Sequence, residues 1–471
     1  MPSTDTTTVV RRRTSSRRAV KYSVAGTTWR DAFRLAPADA TVAPALRVGL
    51  ASATVLIVGG VFGRYDLAGF ATFGALCSAF CRYEPYPRLA GKLAMVGLLL
   101  VGSIAFGAGM GVAATPVWLE IGALSLLAGG AYSFMSGFRI NGPGPVIAVF
   151  AATGAAGYAS TASDLIAIVV SGAVGVLVGW AAAMFPALIV PTGPARLAVA
   201  RAVAAASGLT DSSGSSVASV RASIAHARSV ITSSGRIAST VEHCGELTAV
   251  LDELESAVQH WQGFGDAAPI LRLSGLEDDL RKIKHSNVIR SGSRSVGALT
   301  IDERHFVAGL RRICSTSVAV NAARVASASA LAGWVAAGAG LEHPLWASMG
   351  AIAALQGLDY RHTVQRGIQR LVGNIGGAAI AAVVIALTLG YWQAVVVVVV
   401  LQTAAELLVM RSYALTSLAV TPMALTLIGF GAPVDSGVAL TRVVDTVIGV
   451  VTGIALAAAT ISRSDYRHLE S

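Results

Sequence analysis

Charge is what this sequence has least of. Only 13% of its 471 residues are Asp, Glu, Lys or Arg, about half the roughly 25% of a soluble domain. The shortage is local: residues 43–190 and 319–461 are nearly devoid of acids and bases, whereas 1–40 and 195–315 have ordinary compositions. With 54% hydrophobic residues, a soluble fold would lack the polar surface to cover its core. Cysteine is scarce too, limited to Cys77, Cys81, Cys244 and Cys314. Cys77 and Cys81 share a helix face, but no His or carboxylate lies near them in that segment, so they read as apolar packing and not metal ligands. No disulfide framework is implied. There is no Gly-x-x-x-x-Gly-Lys-Ser/Thr for ATP, no His-Glu-x-x-His, no zinc spacing and no Gly-x-Ser-x-Gly elbow. Cofactor chemistry and enzymatic classes therefore have no foothold.

What is present is apolar sequence in lengths of about 20 residues, enough to cross about 30 Å of hydrocarbon. Twelve spans are predicted. They fall near 45–63, 67–81, 89–112, 117–136, 143–159 and 164–189, then 320–340, 344–358, 367–389, 392–410, 412–430 and 437–461. The second and eighth are short for a full crossing. Inner loops carry Arg82, Arg88, Lys92, Arg139, Arg361, Arg366, Arg370 and Arg411, while outer loops hold Arg64 and little else. This bias puts both termini in the cytoplasm. The net charge of +10 draws on Arg11, Arg12, Arg13, Arg17, Arg18, Lys21, Arg30 and Arg34 in the tail. A basic tail ahead of a first span suits anionic lipid better than nucleic acid. It is not a secretory signal, since no apolar stretch begins before Val42.

The expected organisation is all-α and polytopic. A basic cytoplasmic tail (1–42) precedes a six-span half (43–190), a cytoplasmic helical bundle (191–318), a second six-span half (319–461) and a cytoplasmic tail (462–471). Helical apolar spacing in the bundle recurs over 217–234, 238–263, 268–286 and 300–317. The halves echo each other. Arg47-Val-Gly-Leu-Ala-Ser-Ala53 aligns with Arg324-Val-Ala-Ser-Ala-Ser-Ala330, Ala71-Thr-Phe-Gly-Ala75 with Ala347-Ser-Met-Gly-Ala351, and Gly175-Val-Leu-Val-Gly179 with Gly449-Val-Val-Thr-Gly453. Six spans per half make this a parallel repeat about an axis along the membrane normal. Gly-x-x-x-Gly pairs are close-packing faces, expected here at the interface between repeats.

The second half holds an ordered pattern: His343-Pro-Leu-Trp346, Tyr360-Arg-His-Thr-Val-Gln-Arg366, Arg370-Leu-Val-Gly-Asn-Ile-Gly-Gly377, Arg411-Ser-Tyr-Ala-Leu, Thr421-Pro422 and Arg442-Val-Val-Asp445 before Gly449. It resembles the fusaric acid resistance (FUSC) family of the aromatic acid exporter superfamily, well over 320–460 and more loosely over 45–190. The soluble region is shorter than in many family exporters. The resemblance implies efflux of aromatic or other amphipathic organic acids. Plant aluminium-activated malate transporters look like a related half-sized version, which keeps an anion channel in view.

Charges in or beside spans are the site candidates, because a charge in lipid costs at least about 2.5–3.5 kcal/mol. Arg47 and Arg324 start equivalent spans; they suit either an organic anion or lipid phosphate. Arg442 and Asp445 lie one turn apart, with an ion pair in reach. Glu406 is a candidate proton carrier or a counter-ion for Arg411. Thr421 and Pro422 free a backbone carbonyl mid-span, either lining a pathway or kinking the helix. The expected function is export of organic acids across the inner membrane, driven by the proton gradient. Rival readings are a passive anion channel and a non-transporting scaffold that recruits an envelope-synthesis partner. Self-association is a further partnership to test.

Overall fold

The computed structural model describes residues 26–35, 39–210, 216–234, 240–282, 305–356, 360–430 and 437–460. The arginines at 11–18, Lys21 and the C-terminal tail lie outside them. Among the described residues all regular structure is helical. After α1 (Gly26–Ala32) come α2 (Val42–Val61), α3 (Tyr65–Ala75), α4 (Tyr86–Val112), α5 (Val117–Gly137), α6 (Val146–Tyr158), α7 (Ala162–Met184) and the short α8 (Pro186–Ile189). Helices α9 (Gly193–Thr210), α10 (Val217–Ser234), α11 (Val241–Phe264), α12 (Ala268–Ser274), α13 (Glu277–Arg281) and α14 (His305–Ile313) follow. The chain continues with α15 (Thr316–Gly338), α16 (Pro344–Ala354), α17 (Tyr360–Ala386), α18 (Tyr391–Leu408), α19 (Tyr413–Ile428) and α20 (Gly437–Ala459). Two compact units result: residues 1–80, 95–182 and 306–471 form one, and 81–94 with 183–305 form the other.

The twelve expected spans correspond to twelve helices in the expected order, but among the described residues only eight are long and apolar enough to cross a membrane. The others, α3 and α16 at 11 residues, α6 at 13 and α19 at 16, cover roughly 17–24 Å at 1.5 Å per residue. The expectation of full crossings at the fifth and eleventh positions is thereby corrected. Local sequence explains the lengths. Pro145 and Pro344 sit at the starts of α6 and α16, and a 3-10 turn (Leu76–Ala79) followed by extended Phe80 closes α3. Every residue of α16 is buried, as is α3 from Ala68 to Ala75. The long helices instead expose large apolar side chains such as Leu98, Leu126, Leu177, Val396 and Val451, a surface that lipid covers. Short helices with irregular ends are thus enclosed by protein, where non-helical backbone is tolerated at membrane depth.

Small residues set the close contacts. Gly175 and Gly179 of α7 lie on Ala71 and Ala75 of α3, and Gly449 and Gly453 of α20 lie on Ala347 and Ala351 of α16. A Cβ at Gly175 would stand 1.9 Å from the Ala71 carbonyl oxygen, and one at Gly449 2.3 Å from that of Ala347. These pairs therefore pack within each half, which corrects the expectation that they join the halves. The halves meet through α2 on α18 and α5 on α15. There Gly49 faces Thr403, Gly129 faces Ala326, and Ser125 donates to Ser329 at 2.9 Å. The Tyr391 hydroxyl donates to the Leu56 carbonyl at 2.6 Å, and the Trp334 indole to the Trp118 carbonyl at 3.1 Å. Helix α1 packs on α17, with an Asp31–Arg361 ion pair at 3.1 Å.

The second unit has a separate core built on Val199, Val203, Ile224, Leu251 and Leu254. The helix expected over 268–286 breaks into α12 and α13 at Gly275, and the one over 300–317 ends at Ile313 before α15 begins at Thr316. Cys244 is wholly inside this core, and burial pushes its thiol up to about 11.

Candidate anion-binding cavity

Helix α17 begins with a polar face. Thr363, Arg366, Arg370 and Asn374 recur at three- and four-residue spacing, so all four lie on one side of the helix. That side borders a cavity of about 800 Å³ within the first unit, inside the roughly 300–1,000 Å³ range of small-molecule sites. The opposite walls come from Arg324 of α15, Gln402 and Glu406 of α18, Tyr413 and Thr421 of α19, and Arg442 of α20. Arg139 and Gly142–Pro145, in the connection between α5 and α6, complete the lining with Tyr132 and Phe150.

Five arginines face this space against one carboxylate, Glu406, among the described lining residues. Four of the five are held only by neutral groups. Arg366 Nη2 donates to the Gln356 side chain at 3.1 Å, and its guanidinium lies 4.1 Å above the Tyr413 ring centroid. Arg370 Nη1 donates to the Tyr413 hydroxyl at 3.1 Å, and Arg324 Nη1 contacts the Asn321 carbonyl oxygen at 3.3 Å. Arg442 stacks on Trp346 at 4.4 Å. Among the described residues none of Arg324, Arg366, Arg370 and Arg442 has an ion-pair partner, and Nε of Arg324, Arg370 and Arg442 is buried without an acceptor. Two guanidiniums about 6 Å apart, the spacing of a helix face, repel by about 3 kcal/mol at an effective dielectric of about 20. The wall is therefore electrostatically unfinished. An anion is the species that completes it.

Below the arginines runs a satisfied polar ladder. Thr421 donates to Asn374 Oδ1 at 2.9 Å, Asn374 Nδ2 donates to the Thr446 hydroxyl at 2.7 Å, and Thr446 donates to the Arg442 backbone carbonyl at 2.8 Å. It ties α17, α19 and α20 together, fixing the helices that carry the charges. Gly373 and Gly377 allow the approach, since a Cβ at Gly373 would meet the Ala414 carbonyl oxygen at 2.4 Å.

Of the residues singled out by sequence, Arg324, Arg442, Glu406 and Thr421 meet on the cavity wall. Arg47, Asp445 and Pro422 are not among its lining residues. Arg47 is buried and donates to the Phe80 carbonyl at 3.0 Å, tying α2 to the end of the 3-10 turn. The expected Arg442–Asp445 ion pair is not formed. Arg442 turns to Trp346, and both carboxylate oxygens of the fully buried Asp445 lack a hydrogen-bond donor. Arg411 is exposed and makes no ion pair, so it is not the counter-ion of Glu406. Pro422 lies inside α19, where it leaves the Leu418 carbonyl, pressed against Gly377, without its helical donor. Sequence reasoning treated Arg139, Arg366 and Arg370 as inner-loop charges. The available signal was the continuation of Arg366 and Arg370 into Asn374 at a strict four-residue interval.

No curated protein and no solved structure matches the chain. Residues 329–456 match the family described as fusaric acid resistance protein-like. That stretch spans α16 to α19 and most of α20, and so carries Arg366, Arg370, Glu406, Tyr413 and Arg442 together. With eight helices able to cross a bilayer and this match over its arginine-bearing half, the chain is a multi-pass, transport-related membrane protein similar to the fusaric acid resistance family.

Proposed function

We propose that the protein exports organic anions, aromatic carboxylates foremost, across the cytoplasmic membrane, and that the cavity is its substrate site. One observation carries this reading: four arginines without an ion-pair partner among the described residues line a cavity of about 800 Å³. Arginine is the residue suited to planar, bidentate recognition of a carboxylate. Desolvating an anion requires compensating charge of this kind.

The orientation rests on the loop charges. Arg139, Arg366 and Arg370 lie at connections that the positive-inside bias assigns to the cytoplasm, so the cavity receives its substrate from that side. The second unit and both termini are cytoplasmic on the same basis. A parallel repeat of two halves is supported by paired contacts: exchanging the halves turns α2 on α18 into α15 on α5, and the α7–α3 contact into α20–α16. Glu406 is the proton carrier in this scheme, because it is the carboxylate beside the cationic wall.

The test is flux of benzoate from proteoliposomes holding the purified chain, with and without an inward proton gradient. Gradient-stimulated efflux that Glu406→Gln uncouples is the expected result. Flux indifferent to the gradient would make the protein a channel. No flux of any organic anion would leave a scaffold, whose partners binding assays would then have to find.

A further inference from the structure

Charge count bears on which anion the cavity accepts. A single carboxylate engages one bidentate guanidinium, or bridges two. The wall offers more than that. Arg366 and Arg370 converge on Tyr413, one above the ring and the other on the hydroxyl. Arg442 is turned to Trp346 on a different helix, repelled by Arg370 and attracted by Asp445, which it does not contact in an ion pair. Arg324 stands on a third helix with only Asn321 for a partner. After one monoanion binds at Arg366 and Arg370, the buried Arg442 and the half-buried Arg324 would remain without an ion-pair partner, and an unpaired charge in a buried position is unfavourable.

We infer, building on the organic-anion reading above, that the substrate carries two anionic groups on one planar frame. The first engages Arg366 and Arg370. The second engages Arg442, with Arg324 supplying further positive field. The frame lies among Tyr132, Phe150 and Tyr413, whose rings line the same space. Tyr413 does two jobs here: its ring holds Arg366 flat and its hydroxyl aims Arg370, so both forks are set before the ligand arrives. Gln402 and Asn374 add neutral donors that suit a carboxylate without excess charge.

The experiment compares radiolabelled benzoate and isophthalate, which share a ring and differ by one carboxylate, in efflux from the same proteoliposomes. Isophthalate should show kcat/KM higher by about tenfold or more, the value of one extra charge-assisted contact. Arg442→Gln should erase most of that advantage, lowering isophthalate transport by about tenfold more than it lowers benzoate transport. Arg442→Lys, which keeps the charge, should restore part of it and guards against a folding defect in the glutamine variant. Equal or better transport of benzoate, with Arg442→Gln affecting both acids alike, would overturn the inference while leaving organic-anion export standing. Transport of neither acid would remove both.

Discussion

Helix α4 is the third of the six helices α2–α7 and α17 the third of α15–α20, each 27 residues long and each beginning with a tyrosine. Their matching positions differ in how charge is met. In α4 they are Leu89, Lys92, Val96 and Leu100, three of them buried and apolar and the lysine paired with Glu84. The corresponding face of α17 offers Thr363, Arg366, Arg370 and Asn374 to a cavity. One helix closes its half by packing; the other leaves a cationic wall that only a ligand completes. If the scaffold tolerates both, the arginines serve binding and not folding, and that difference can be attacked directly.

The largest effect should come from the packing that the halves share. Valine at Gly175 or at Gly449 places a Cβ about 2 Å from a carbonyl oxygen, and overpacking of this kind costs typically 1–3 kcal/mol and occasionally more. Both variants should lose most of the folded protein, read as monodisperse yield in detergent. Gly102→Ala, whose Cβ meets nothing within 4 Å, should assemble normally. A large defect in one half only would break the symmetry of the comparison.

Making α17 resemble α4 comes next. Arg370→Leu should cut transport by about 100-fold, the scale of losing one side of a buried charged contact. It should leave thermal stability equal or higher, because a half-buried cation whose Nε has no acceptor is removed. Loss of stability in step with transport would make Arg370 structural. A smaller contrast separates Arg324 of α15 from Arg47 of α2, which open the aligned stretches Arg324–Ala330 and Arg47–Ala53. Arg324→Ala should lower transport about tenfold with little change in melting temperature. Arg47→Ala releases the Phe80 carbonyl and should cost about 1–3 kcal/mol of stability, with transport per folded molecule preserved.

These contrasts also mark where the sequence was readable. Hydropathy placed all twelve helices in order because lipid demands long apolar runs, yet it could not measure how deep each goes. Length was lost at α6 and α19, where apolar loop residues flank helices of 13 and 16 residues. Arg324 and Arg442 were recognisable as charges in apolar surroundings. Arg366 and Arg370 were not, since an arginine at a helix start looks the same whether it snorkels to lipid or faces a cavity. Only the burial of α16 and the neighbouring Tyr413 distinguishes the two cases. The Arg442–Asp445 pair failed for a related reason: spacing permits a contact, but the Trp346 ring competes for the same guanidinium.

The smallest prediction compares the two units through their cysteines. Cys314 is exposed and should be alkylated readily in the folded protein. Cys244, buried with its thiol held up at about 11, is thiolate in only about one molecule in a thousand at pH 8. Its labelling should require unfolding and should rise as pH approaches 11. Maleimide mass labelling before and after denaturation reads this; equal rates at the two sites would contradict the second unit's core.

The most direct measurement is a structure of the protein with 5-iodoisophthalate, whose iodine marks the ligand unambiguously. The account predicts density inside the cavity, with one carboxylate at Arg366 and Arg370 and the ring beside Tyr413. Iodine density elsewhere, or an empty cavity in a preparation that still transports the acid, would contradict it.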